Sequence, residues 1–103
     1  MIRNPNGAVM IKSFRDRRGQ AIFEGRHPGK GFPGDVIRAA RRKLVMLDEV
    51  EALGDLGKLP GNHLEALKKD RAGQHSIRIN DQWRVCFVWT GSDAHNVEIA
   101  DYH

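Results

Sequence analysis

Trp83-Arg84-Val85-Cys86-Phe87-Val88-Trp89 is the stretch that most restricts what this chain can become. Trp83, Val85, Phe87 and Trp89 alternate onto one face of an extended strand, while Cys86 and Val88 make the other face largely apolar too. A strand apolar on both sides belongs inside a sheet, covered on both faces. Arg84 breaks the pattern. Its guanidinium stays charged, so inside such a strand it requires a carboxylate, a phosphate or an open cleft. Two readings stay open: a structural arginine paired with Asp or Glu, or an arginine on the floor of an anion-binding cleft.

The rest of the chain supplies a sheet and helices around that strand. Residues 1–9 are polar and turn-rich and predict little structure. Met10 to Phe14 reads as a short strand, and Asp16 to Glu24 as a short helix carrying Ile22 and Phe23 inward with Arg15, Arg17 and Arg18 solvated. The glycines and prolines of residues 25–34 mark a loop. Asp35 is the expected N-cap of a helix in which Val36, Ile37, Ala40, Leu44 and Leu47 keep helical spacing to about Leu53. Arg38, Arg41, Arg42, Lys43, Asp48 and Glu49 fall on its other, solvated face. Residues 54–62 break the pattern. Asn62 to Gly73 reads as an extended segment at a sheet margin, anchored by Leu64 and Leu67. His75 to Ile79 is an alternating strand, Asn80-Asp81-Gln82 a tight connection, and His95 to Tyr102 the last strand. The expectation is an α+β domain: two N-terminal helices packed on a small, mainly antiparallel twisted sheet, with polar strand residues gathering on the opposite face.

A chain of 103 residues with 40% hydrophobic content holds one core and one domain. No apolar run approaches the length that spans a membrane. The single cysteine, Cys86, has no partner within the chain, which excludes an internal disulfide and favours the cytoplasm. The net charge of +4 hides an asymmetry: through Val45 eleven Lys or Arg stand against three acids, and from Met46 onward six stand against ten. A basic half suggests a polyanionic partner, although basic helix faces are often simply solvated. The five histidines form no His-x-x-x-His pair on a helix, so neither a metal site nor a cofactor is expected.

Glu65, Lys68, Arg84, Tyr102 and His103 are chemically matched to one task and are expected on the open sheet face. RNA cleavage without a metal needs a base for the ribose 2′-OH, cations for the charge developing on phosphate, and an acid for the leaving 5′-oxygen. Glu or His suits the first role, Lys and Arg the second, and His or Tyr the third. The alternative is an ordinary exposed Glu65–Lys68 pair and a frayed Tyr-His terminus.

Leu64-x-x-Leu67-Lys68-x-Asp70-Arg71-x-Gly73, Ser76-Ile77-Arg78-Ile79-Asn80, Trp83-Arg84-Val85, Phe87 and the ending Asp101-Tyr102-His103 resemble the HigB-type toxins of the RelE/ParE superfamily, the plasmid maintenance killer proteins. The likeness runs from Met10 and is strongest from Leu64, which makes residues 1–9 an extension and 10–103 the toxin domain. It implies a RelE-like fold and an endoribonuclease, an mRNA interferase that cuts messages in the ribosomal A site and so inhibits translation. It also implies a HigA-like helix-turn-helix antitoxin, with operator DNA bound only through the complex and no membrane partner.

Carried over by position, the resemblance assigns catalytic roles to Lys68, Arg84, Tyr102 and His103, and it favours the cleft reading of Arg84, with Asp101 as a possible orienting carboxylate. The family often has His where this chain has Glu65, and Gly where it has Lys69. The base is then Glu65, nearby His63, or His103. Lys69, Arg71 and Arg78 are expected to hold the RNA backbone, and the basic helices to meet an acidic antitoxin segment or the ribosome. Two other readings share the fold: a ParE-like gyrase inhibitor without catalysis, and a degenerate toxin kept as a regulatory module.

Overall fold

In the computed structural model, which describes residues 11–101, the Trp83–Thr90 run is an internal strand of a four-stranded antiparallel sheet. The sheet runs β1 (Glu65–Ala66), β2 (His75–Arg78), β3 (Trp83–Thr90), β4 (Asp93–Asp101), each strand beside its sequence neighbour. Short connections explain that order. Between β2 and β3 the Asn80 side chain accepts hydrogen bonds from the backbone of Gln82 and Trp83, both at 2.8 Å, and closes the turn. The segment from Ile11 to Phe14 forms two isolated parallel bridges to Ala94 and Val97 rather than a continuous strand.

A bulge makes that edge possible. Between the pairs Cys86–Glu98 and Val88–His95, β4 carries one residue more than β3. Asn96 absorbs it at φ 51°, a left-handed conformation that Asn tolerates. The amides of Asn96 and Val97 then turn outward to Ser13, at 2.9 Å and 3.0 Å.

Three helices among the described residues, α1 (Arg17–Phe23), α2 (Gly34–Glu49) and α3 (Leu53–Gly57), supply the apolar layer over one sheet face. Asp16 caps α1, accepting from the amides of Arg18 and Gly19. Ile22 and Phe23 of α1, Val36, Ala40, Leu44 and Leu47 of α2, and Leu56 of α3 bury against Ile77, Val85, Phe87 and Val97 of the sheet. Trp83 joins this core and packs on Phe32 with ring centroids 5.0 Å apart. Arg18 lies 4.1 Å over the other ring of that pair, Phe32, and bonds the Lys30 carbonyl, so it pins the glycine-rich loop rather than merely meeting solvent.

Three sequence expectations need correction. Asp35 is not the cap of α2: the helix starts at Gly34 with Pro33 at the cap position, whose carbonyl accepts from Ile37 at 3.0 Å. The fixed φ of proline already suits a helix start, and Asp35 in the first turn still complements the helix dipole. The helix also ends at Glu49, because Val50 turns extended and lets the separate helix α3 fold Leu56 back into the core.

Asp48 is not solvated. It is 6% exposed, and its carboxylate accepts the Ile11 amide at 3.1 Å. That bond ties the N-terminal edge segment to α2. Asp48→Ala is expected to lower stability by about 1–3 kcal/mol in a urea titration, the cost of leaving that amide unsatisfied. Asp48→Asn keeps an acceptor and should lose less; equal losses would show that the bond is not what matters.

Candidate active site

None of the three α-helices among the described residues covers the sheet's second face, and the alternation of β3 aims Arg84 and Cys86 there while Trp83, Val85 and Phe87 enter the core. Directly paired residues in an antiparallel sheet point the same way, so register decides which side chains meet. Ser76 pairs with both Glu65 and Cys86, and Cys86 pairs with Glu98. These four residues form a row across the open face, with Arg84 on the diagonal from Ser76.

Neutral oxygens hold Arg84. Its Nε donates to Ser76 Oγ at 2.6 Å, and its Nη2 donates to the carbonyl of His63 at 2.5 Å. No carboxylate among the described residues contacts it, so the first reading of this arginine, a structural ion pair, does not describe it. Asp101 does not orient it either. In register Asp101 pairs with Trp83, one residue away and on the other face, and it accepts instead from Gln82 Nε2 at 3.2 Å. Arg78 stands directly across from Arg84, a like-charge pair that Asp81 relieves by bonding Arg78. The guanidinium of Arg84 therefore keeps its full field on a half-buried, open surface.

Glu65 lies on the edge strand at the same row as Ser76 and is exposed. Lys68, also exposed, follows Leu67, whose side chain packs on Cys86 and Ala100 of this face. Lys69 opens a 3-10 turn (Lys69–Arg71) at φ 57° and is exposed. Arg71 donates to Glu98 at 2.6 Å and to Gln74 at 3.1 Å, and Arg15 reaches the same Glu98 oxygen at 3.0 Å. His63 adopts φ 45° and contributes its backbone carbonyl. Tyr102 and His103 lie outside the described residues. Thus Glu65, Arg84 and the backbone of His63 converge around Ser76, whereas Arg71 and Arg78 are engaged by acids.

Cys86 takes no part as a nucleophile. Its burial pushes the thiol up to about 11, so it stays protonated and behaves as a small apolar residue at neutral pH.

Ser76 was not anticipated as a site residue, although its place in the alternation of His75 to Ile79, on the strand beside Arg84, was a usable signal. Asn62 was read only as the start of an extended segment, yet it is fully buried. Nothing in the sequence around it marks that burial.

Residues 12–103 match the family model described as the RelE-like toxin of type II toxin-antitoxin system HigB. The chain is 34% identical over 87 residues to Toxin HigB-1 of Vibrio cholerae serotype O1, covering 84% of this chain and 92% of that protein. It is 31% identical over 94 residues to Endoribonuclease HigB of Proteus vulgaris, covering 91% of this chain and all of that protein. An uncharacterized protein of Haemophilus influenzae is 32% identical over 66 residues, 64% of this chain and 65% of its own length. With the helix-covered antiparallel sheet and a family match across nearly the whole chain, this protein belongs to the HigB-like family of RelE-like toxins from type II toxin–antitoxin systems.

Proposed function

We propose that this chain is an endoribonuclease that cuts messenger RNA on translating ribosomes, using its own side chains as acid, base and electrostatic clamp. The observation that carries the reading is Arg84: a guanidinium fixed by Ser76 and His63 on an open sheet face, with no carboxylate on it among the described residues. Such a fork suits the oxygens of a phosphodiester. The relative named as an endoribonuclease, similar along its full length, supports the same activity.

In this mechanism the 2′-oxygen attacks the adjacent phosphorus, and its proton passes to Glu65 or His103. The 2′-oxygen–phosphorus bond forms as the bond to the 5′-oxygen breaks. Arg84 and Lys68 stabilise the charge gathering on the phosphoryl oxygens, and His103 or Tyr102 protonates the departing 5′-oxygen. A 2′,3′-cyclic phosphate and a 5′-hydroxyl result. Lys69 holds the RNA backbone, joined by Arg71 and Arg78 where phosphate replaces Glu98 and Asp81; binding should weaken steeply with salt. His63 serves this site through its carbonyl, and no cofactor is invoked. Residues 10–103 form the toxin domain in the cytoplasm, with residues 1–9 as an extension.

The neutralising partner is a helix-turn-helix antitoxin, and the complex reaches operator DNA through it. We place its contact on the outer face of α2, where Arg38, Arg41, Arg42 and Val45 line a groove of about 480 Å³. The three arginines have no acidic partner among the described residues, and Val45 offers an apolar floor. Carboxylates interspersed with an aliphatic side chain fit that surface, whereas a phosphate backbone leaves the floor unused.

Primer extension on a defined message in a purified translation system tests the function. Cuts are expected only on translating ribosomes, and Glu65→Gln should slow them if Glu65 is the base. An intact message at saturating protein would overturn the reading and point to a gyrase-binding or purely regulatory relative.

A further inference from the structure

Arg84 can act as a clamp only if its orientation is set before RNA arrives, and the residues that set it lie partly outside the open face. Ser76 is fully buried, and its Oγ accepts from Arg84 Nε at 2.6 Å. The second tether, the His63 carbonyl, belongs to a turn held from below by Asn62. Asn62 is also fully buried, and every polar atom it has is engaged. Its Nδ2 donates to the Leu56 carbonyl at 3.0 Å and to Met46 Sδ at 3.2 Å, and its Oδ1 accepts from Lys43 Nζ at 2.5 Å. Its backbone amide donates to Leu59 at 3.3 Å, and its carbonyl accepts from the Arg78 amide at 2.6 Å.

One residue thus joins α2 and α3 through its side chain and β2 through its backbone, directly before His63. His63 then takes φ 45°, a left-handed conformation that costs energy outside glycine and persists only where its surroundings impose it. That conformation lets the His63 carbonyl face Arg84 Nη2. The guanidinium is consequently tied at Nε and Nη2, while Nη1 has no bond among the described residues and remains for a ligand oxygen. Burial, and after it the charges of Arg42 and Arg78, hold the Lys43 ammonium below its usual range, which makes Asn62 Oδ1 a needed acceptor in that interior.

We infer that Ser76 and the Asn62–His63 turn are positioning elements that fix the Arg84 guanidinium with its Nη1 edge toward the substrate. The inference rests on the proposed role of Arg84, and its test separates the two. The first readout is independent of activity: hydrogen exchange of the Arg84 Nε–H signal with water, followed by NMR in the ¹⁵N-labelled full chain. The signal is expected to be protected in the native protein and to exchange about tenfold faster in Ser76→Ala, the equivalent of one lost hydrogen bond. Asn62→Ala should accelerate it in the same direction. If Asn62→Ala fails to fold, Ser76→Ala, which removes only a hydroxyl, still decides the matter. The second readout is the single-turnover cleavage rate on ribosome-bound message, expected to fall by about 10- to 100-fold in Ser76→Ala as the clamp loses its aim. Unchanged Nε–H exchange in Ser76→Ala overturns the positioning role whatever the cleavage result. Loss of protection in a protein whose native form cuts nothing supports the positioning and refutes only the proposed function.

Discussion

Arg84→Ala is expected to reduce single-turnover cleavage by about 10²- to 10³-fold, the usual consequence of removing one preorganised group that stabilises transition-state charge. Growth inhibition should disappear with it. The variant should stay folded, because Arg84 lies opposite the apolar layer formed by Leu44, Leu47, Val85 and Phe87. It will not be fully neutral in stability. Ser76 Oγ, which is buried, loses its donor, and an unsatisfied buried acceptor costs about 1–3 kcal/mol, whereas the exposed His63 carbonyl can turn to water. A domain of this size loses roughly 4–8 °C of Tm per kcal/mol, so circular dichroism at the assay temperature must accompany the rates. Arg84→Lys separates charge from geometry: lysine keeps a point charge but has neither the Nε donor for Ser76 nor a planar fork. A lysine variant as impaired as alanine would show that the fork matters, and one close to native would show that charge suffices. Full toxicity of both would remove Arg84 from the mechanism. Deletion of His103 is expected to abolish growth inhibition as well, as a loss of acid or base rather than of clamp.

What the sequence disclosed and what it hid follow from the range of the interactions involved. The strand from Trp83 was legible because an alternating pattern records the two sides of a sheet directly, and the core positions of α2 were legible from helical spacing. Asp48 stands four residues after Leu44, on the buried stripe, but its charge argues for solvent, and the partner that draws it inward, the Ile11 amide, lies 37 residues away. Helix α3 escaped because five residues, two of them glycine, carry too little periodicity to register. Asn62 was hidden for a different reason. Its environment comes from α2, α3 and β2 together, and no local pattern reports a junction of three elements. The charged residues of the candidate site can be named from the sequence, but what holds Arg84, a serine and a backbone carbonyl, depends on sheet register and on the left-handed conformation of His63. Register emerges only when both strands are paired.

Reversing Arg38, Arg41 and Arg42 together to glutamate is expected to weaken binding of the antitoxin by about 100-fold or more, since like charges brought together across an interface cost several kcal/mol. The probe is the cognate antitoxin, titrated by calorimetry against the full chain. These arginines are exposed, and none bonds an acid of the same chain among the described residues, so folding loses no contact and the Tm should move little. They also sit on the helix layer, on the far side of the sheet from Arg84, so cleavage of ribosome-bound message should persist in the triple variant. Retained cleavage with lost neutralisation would assign the outer face of α2 to the antitoxin. Normal neutralisation with lost cleavage would assign it to the ribosome and overturn the proposed contact, and no change in either would make it a solvated face. The three outcomes are separable because the fold divides the two halves of the problem: chemistry on the sheet face that carries Arg84, and, on the helix that covers the other face, charge without acidic partners among the described residues.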